Sequence, residues 1–360
     1  MRYAVSCQHP DLSGQTIEPE HNIADTYPVL TLPPEVVSEI FVNFLPSYPE
    51  RPPPSGMFSP ILLCQVCRHW RDIALSTPPL WRAIDLDLQP TKSMHWMLHV
   101  LRTWLLRSGD CPLAISLRYP AHFHEPRAPD LHLSEFLYAL LPHIKRLEHL
   151  ELIMPFEHLH AIQGDIEMPL LRHLTFGPSD LPPDADEPEY AVLTLFANAP
   201  QLAHVVLADC FVPARLFLPW AQLTHLEGCC LYEQECMAIL CAADCLVECT
   251  LTVCGLPDYR LPIPAAPPQP HLRRLTLLCT QSSDANHTAV LDRVTLPALR
   301  TLQIAETGSG AALLRSLEAF IERSGCVLES LRIDMSSLDT NYRAALPSIG
   351  TVLCRAACGL

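Results

Sequence analysis

The sequence predicts an α/β protein: a small helical unit, then a long array of parallel strands alternating with helices. Three observations carry this expectation. The pattern L-x-x-L-x-L recurs from residue 147 onward, with conservative swaps. Segments with apolar residues at helical spacing fall between its copies. Two amphipathic stretches, Leu32–Pro46 and Ser59–Leu75, come before it and carry no such strand pattern.

Residues 1–28 are polar, mixed and aperiodic, as expected of a disordered tail. In "LPPEVVSEIFVNFLP", residues Val36, Val37, Ile40, Phe41, Phe44 and Leu45 recur at helical spacing. Pro33 and Pro34 suit a helix entry, and Pro46 ends it. The proline-rich "SYPERPPPSGM" is a connector. In "SPILLCQVCRHWRDIAL", one helix is expected, with Leu63, Val66, Cys67, Trp70, Ile73 and Ala74 on one broad face. "STPPLW" closes the unit on Trp81, a large apolar anchor. "RAIDLDL" alternates as a strand does. Residues 92–107 form an amphipathic helix with Thr91 as N-cap and Gly109 just past its end. "PLAISL" is another strand.

The repeat begins at Leu147/Leu150/Leu152 and ends at Leu328/Leu331/Ile333. Cys249 replaces one inward leucine and Gly228 another. Eight copies span 181 residues in seven steps of 21 to 31, about 26 on average, within the range of leucine-rich repeats. The segments "SEFLYALLPHI", "EQECMAILCAAD" and "GAALLRSLEAFIERSG" are the clearest intervening helices. Each strand–helix unit needs its neighbours to bury its apolar face, so the array is expected to be an irregular solenoid over 83–360. Two loops look inserted, an acidic one at 177–189 and a proline-rich one at 255–271.

Composition excludes several classes. The 39 acidic and 24 basic residues give a formal net charge of −15, a poor match to a phosphate backbone, so no nucleic-acid partner is expected. No run of about 18 apolar residues exists, so no membrane association is expected. The N-terminal stretch lacks an apolar h-region, so no secretory signal is expected either. The 16 cysteines are then thiols in a reducing compartment, cytoplasmic or nuclear. Asn286-His287-Thr288 is a glycosylation sequon by chance in that setting. Only two of the 24 basic residues are lysines, Lys92 and Lys145. Nucleotide composition explains this scarcity, and so does a need to avoid self-modification.

Candidate chemistry is sparse. "CQVCRHW", Cys64 to Trp70, looks like a metal or redox signature. On one helix, however, Cys64 and Cys67 sit side by side without a metal, and His69 completes no tight chelate. Cys229, Cys230, Cys236, Cys241, Cys245, Cys249 and Cys254 cluster, but helix and strand positions suit buried thiols better than zinc ligands on turns. His95 and His99 are four apart without the glutamate of a zincin, so they form a surface pair. No G-x-S-x-G, Walker A or glycine-rich phosphate cradle occurs. No metal, cofactor or catalytic residue is expected.

Leu32-Pro33-x-Glu35, Ile40-Phe41, Val66-Cys67-x-x-Trp70-Arg71-x-Ile73-Ala74 and Pro79-Leu80-Trp81 together resemble an F-box, here spanning 29–82. The proline-rich insert and the irregular leucine repeats resemble the fungal F-box type. The resemblance implies a three-helix unit docking on an SKP-family adaptor, and through it on a cullin-based ubiquitin ligase. It implies adaptor-facing residues Leu32, Pro33, Ile40, Phe41, Leu45, Leu63, Val66 and Trp70, acting as apolar anchors. Displacement of the first helix by the long connector would disrupt that contact.

Within each repeat, the residues flanking the second leucine point outward from the strand. The first outward column reads His149, His173, His204, His225, Glu248, Arg274, Thr301, Ser330. The second begins at Glu151, passes Glu227 and ends at Arg332. Four histidines on adjacent strands would stand about 5 Å apart, each protonation disfavouring the next. Either histidine merely fits this half-exposed position, or the columns line a groove that grips a protein substrate through His149, Glu151, His173, His204, His225, Glu227, Arg274 and Arg332. The expected function is that of a non-catalytic substrate receptor. A scaffold working outside a ubiquitin ligase and a Cys/His-dependent enzyme are its rivals.

Overall fold

The computed structural model describes residues 31–89, 93–119, 133–159, 166–178, 192–208, 216–254, 267–279, 290–306, 310–335 and 342–356. The expected tail, Thr91, the sequon and most of both inserted loops lie outside them.

Helix α1 (Pro34–Phe44) starts on Pro34 at its first turn and gives way to extended backbone at Leu45, before Pro46. Helix α2 (Pro60–Val66) is capped by Ser59, whose hydroxyl accepts from Ile61 N at 3.3 Å. The single helix expected over 59–75 breaks at Cys67. That residue is extended (φ −156°, ψ 172°), and its sulfur accepts from Trp70 N at 3.4 Å, capping α3 (Arg68–Leu75). Cys64 and Cys67 therefore do not share a helix face. The break lets Leu63 on α2 and Ile73 and Ala74 on α3 all reach the core, while Val66 turns outward.

Trp81 ties the helical unit to the strand array. Its indole N–H donates to Ala74 O at 2.9 Å. Its ring meets Trp104 edge-on, with centroids 4.7 Å apart. Trp104 lies on α4 (Met94–Arg107), which starts two residues later than expected and is capped by Ser93. Gly109 comes after it at φ +54°, the left-handed position past a helix end. Buried side chains run from Val37 on α1 to the last repeat as one cluster, with no break at residue 82.

Eleven parallel strands form one sheet in sequential order. They are β1 (Ala83–Asp87), β2 (Leu113–Arg118), β3 (Leu147–Met154), β4 (His173–Pro178), β5 (His204–Leu207), β6 (His225–Leu231), β7 (Glu248–Val253), β8 (Arg274–Cys279), β9 (Thr301–Glu306), β10 (Ser330–Met335) and β11 (Thr351–Ala356). From β3 to β10 the register is that of the repeat: Leu150 faces Leu174, then Val205, Leu226, Cys249, Leu275, Leu302 and Leu331. All these side chains are buried. Gly228 takes an inward leucine position because Leu231, brought round by a bulge at Cys230 (φ 52°), fills the space a side chain would occupy. Helices α5 (Leu133–Leu140), α6 (Phe156–Leu159), α7 (Glu233–Ala242), α8 (Gly310–Ser324) and α9 (Tyr342–Ala345) lie between strands. The architecture is α/β and compatible with a solenoid. Among the described residues no helix is long and apolar enough to cross a membrane.

The connector runs back over the start of the sheet. Asp85 N donates to Pro52 O at 3.0 Å, so the connector covers the open edge of β1. Prolines cannot themselves extend the ladder, which suits them to closing an edge. Arg51 reaches further, donating to Ile115 O at 3.2 Å and pairing with Glu151 at 3.0 Å.

Candidate functional site

The outward columns form as the repeat spacing requires, because strand side chains alternate between faces. His149, His173, His204 and His225 face one another in register on β3 to β6. Their ring centroids are 4.3, 4.3 and 4.1 Å apart along the series. His149 and His173 are stacked within 17° of parallel, whereas His225 meets His204 edge-on. His204 Nδ1 and His173 Nε2 are hydrogen-bonding neighbours. His173 Nδ1 is buried without a partner among the described residues. Thr224 Oγ1 holds His225 Nδ1 at 2.8 Å.

Burial makes the rings of His149, His173 and His204 harder to protonate. It is the first cause for His149, reinforced by Arg51, Arg172 and His204 and opposed by Glu148. His173 is lowered by burial, then by His149, His225 and Arg172. His204 is pushed down to about 4 by burial and by its neighbours His173 and His225, with Glu248 opposing. Like charges this close cannot all form, which adds to the lowering at His149, His173 and His204.

The charged members of the two columns differ in availability. Glu151 is taken by Arg51 and lies 3.7 Å from Arg118, which also holds Asp85 at 2.7 Å. Arg274 pairs with Glu248 at 3.2 Å, and Arg332 with Asp334 at 3.1 Å. Glu227 is exposed and has no ion pair or hydrogen bond among the described residues. Tyr48 from the connector lies edge-on to His149 at 5.7 Å and donates to Glu148 at 2.7 Å. Burial and that carboxylate push its phenol pKa up.

Repeat reasoning alone did not reveal this covered end. Ala83, Ala114 and Ser116 hold outward positions on β1 and β2, yet all are buried, Ala114 and Ser116 at 0% and 1% exposure. Small residues at outward positions were the available signal that something lies over them.

The helical unit sorts its expected contact residues into two sets. Ile40 and Val66 are exposed, at 48% and 57%, and Pro33 is exposed at the α1 cap. Leu32, Leu45 and Trp70 are half-buried against the core. Phe41 and Leu63 are buried: Phe41 packs on Trp70 with centroids 4.9 Å apart, and Leu63 joins Ile73 and Ala74. These two serve the internal core and are not outer anchors. Helical spacing marked them correctly as apolar but did not say which face the core would take. In their place α1 exposes Val36 and Phe44 beside Ile40, and α2 exposes Leu62 beside Val66.

The cysteine-rich segment has free thiols among the described residues. Burial pushes Cys249 up to about 12 and Cys236 well above the ordinary thiol range, the opposite of nucleophile activation. His95 and His99 are both exposed on α4. Among the described residues no three His, Cys, Asp or Glu side chains are grouped to hold a metal ion. A scan against protein-family models and a search of curated proteins both return no match to this chain.

Proposed function

We propose that the chain is a substrate-recognition subunit of an SKP-cullin-F-box ubiquitin ligase. Its helical unit docks on the adaptor, and the outer face of the sheet holds a protein substrate. Ubiquitin transfer then belongs to its partners. The carrying observation is the outer face of α1, where Val36, Ile40 and Phe44 recur every four residues and all stay exposed. A continuous apolar helix face left in water suits a partner groove. Leu62 and Val66 extend the same chemistry on α2. The adaptor-facing set on this reading is Val36, Ile40, Phe44, Leu62 and Val66, with Leu32 and Pro33 at the helix entry.

The test is co-purification with an SKP-family adaptor and a cullin, comparing wild type with Ile40→Glu. Loss of adaptor in the variant, with an unchanged melting curve, is the expected result. Equal recovery removes the reading. Adaptor capture without cullin in the wild type would favour the scaffold role outside a ligase.

A further inference from the structure

Of the four histidine strands, two carry an acid two residues on: His149-Leu150-Glu151 on β3 and His225-Leu226-Glu227 on β6. The strands between them have Thr175 and Val206 at that place. The β3 triplet is occupied. A proline-containing turn of the same chain, closed by Glu50 N donating to Ser47 O at 2.9 Å, sets Tyr48 edge-on to His149 and, three residues later, Arg51 on Glu151 at 3.0 Å. The β6 triplet has the same side chains in the same order on the same face. It lies three strand steps away, about 14 Å. Glu227 there is exposed and unpaired among the described residues. Glu248 is the register neighbour of His225 and adds a second carboxylate, which it shares with Arg274.

We infer that the β6 triplet is a second seat for the chemistry the connector displays at β3. Its occupant is a proline-containing turn of a partner protein, with an aromatic ring over His225 and an arginine three residues later on Glu227. Glu227 and the neighbouring Glu248 favour the arginine of such a segment. The connector itself is committed elsewhere, since Pro52 is hydrogen-bonded to β1 and Tyr48 to Glu148. The inference deepens the reading of the sheet face as the substrate-holding surface and rests on it.

The test uses the full chain and a fluorescein-labelled peptide of residues 46–54, PSYPERPPP, with binding read by fluorescence anisotropy. Saturable one-to-one binding is expected. It should weaken about threefold or more in Glu227→Gln, as an exposed charge pair allows, and equally when the peptide carries Arg51→Ala. Glu329→Gln, paired with Arg300 away from the seat, should leave it unchanged. No binding up to about 1 mM peptide overturns the inference. So does binding that ignores Glu227→Gln, or binding abolished by Glu151→Gln alone, which would mean the peptide merely replaces the connector. Adaptor capture is scored on the same proteins. Peptide binding lost with adaptor capture intact removes the seat alone, and the reverse removes the helical docking alone.

Discussion

The histidine ladder should make the protein less stable in mild acid, by an amount set chiefly by His204. In the unfolded chain a histidine titrates near 6.5; in the fold His204 titrates at about 4. Between those values the unfolded state binds more protons, so stability is full above about 6.5 and is lost as pH falls toward 4. At pH 5.5 a ring that stays neutral only in the fold forfeits about 1.4 kcal/mol. His204 is half-exposed, and solvent screening reduces this to about 0.7 kcal/mol. His149 and His173 are lowered too and act in the same direction. The assay is urea unfolding at pH 7.5 and 5.5, comparing wild type with His173→Asn/His204→Asn. The wild type should lose at least about 0.7 kcal/mol more than the variant between the two pH values. A pH difference equal in both proteins to within about 0.3 kcal/mol would refute the reasoning, because the rings would then titrate as they do in water.

Trp81→Ala removes a fully buried ring, its contact with Trp104 and its bond to Ala74 O, and should cost about 3–5 kcal/mol by urea unfolding. Arg51→Ala releases the connector from Glu151 and Ile115 O; limited proteolysis should then cut within residues 47–57 faster, with little change in melting temperature. Gly177→Ala would drive a methyl group into the Ala208 carbonyl oxygen, so backbone must move at a cost of about 1–3 kcal/mol, read from the urea midpoint. Ile40→Glu should abolish adaptor capture while leaving unfolding within about 0.5 kcal/mol of wild type, since the residue is exposed.

Much of the sheet was legible because it repeats. A leucine spacing of three and two, recurring every 21 to 31 residues, assigns inward and outward positions without knowledge of anything distant. The histidine column came from that spacing and stands in register from β3 to β6. The edge strand β11 was not foreseen. Its inward positions hold Val352 and Cys354, which are less buried than their partners Leu331 and Ile333 and carry no leucine pattern. The break at Cys67 was equally hidden, since "CQVCRHW" has helical spacing throughout and only the packing of Leu63 and Ile73 on one core requires a kink.

The sequence by itself determined the repeat strands from β3 to β10, their register and the two outward columns, because these depend on side chains a few residues apart and on a backbone period of two. Tertiary structure alone decided three things. It chose which apolar residues of α1 and α2 face the core, turning Phe41 and Leu63 inward and leaving Val36, Phe44 and Leu62 in water. It laid the proline-rich connector across β1 and onto His149 and Glu151. It thereby paired Glu151 with Arg51, whereas Glu227 has no partner among the described residues. Each of these outcomes depends on contacts between segments up to about 100 residues apart, as between Tyr48 and Glu148, and no local period encodes such a contact.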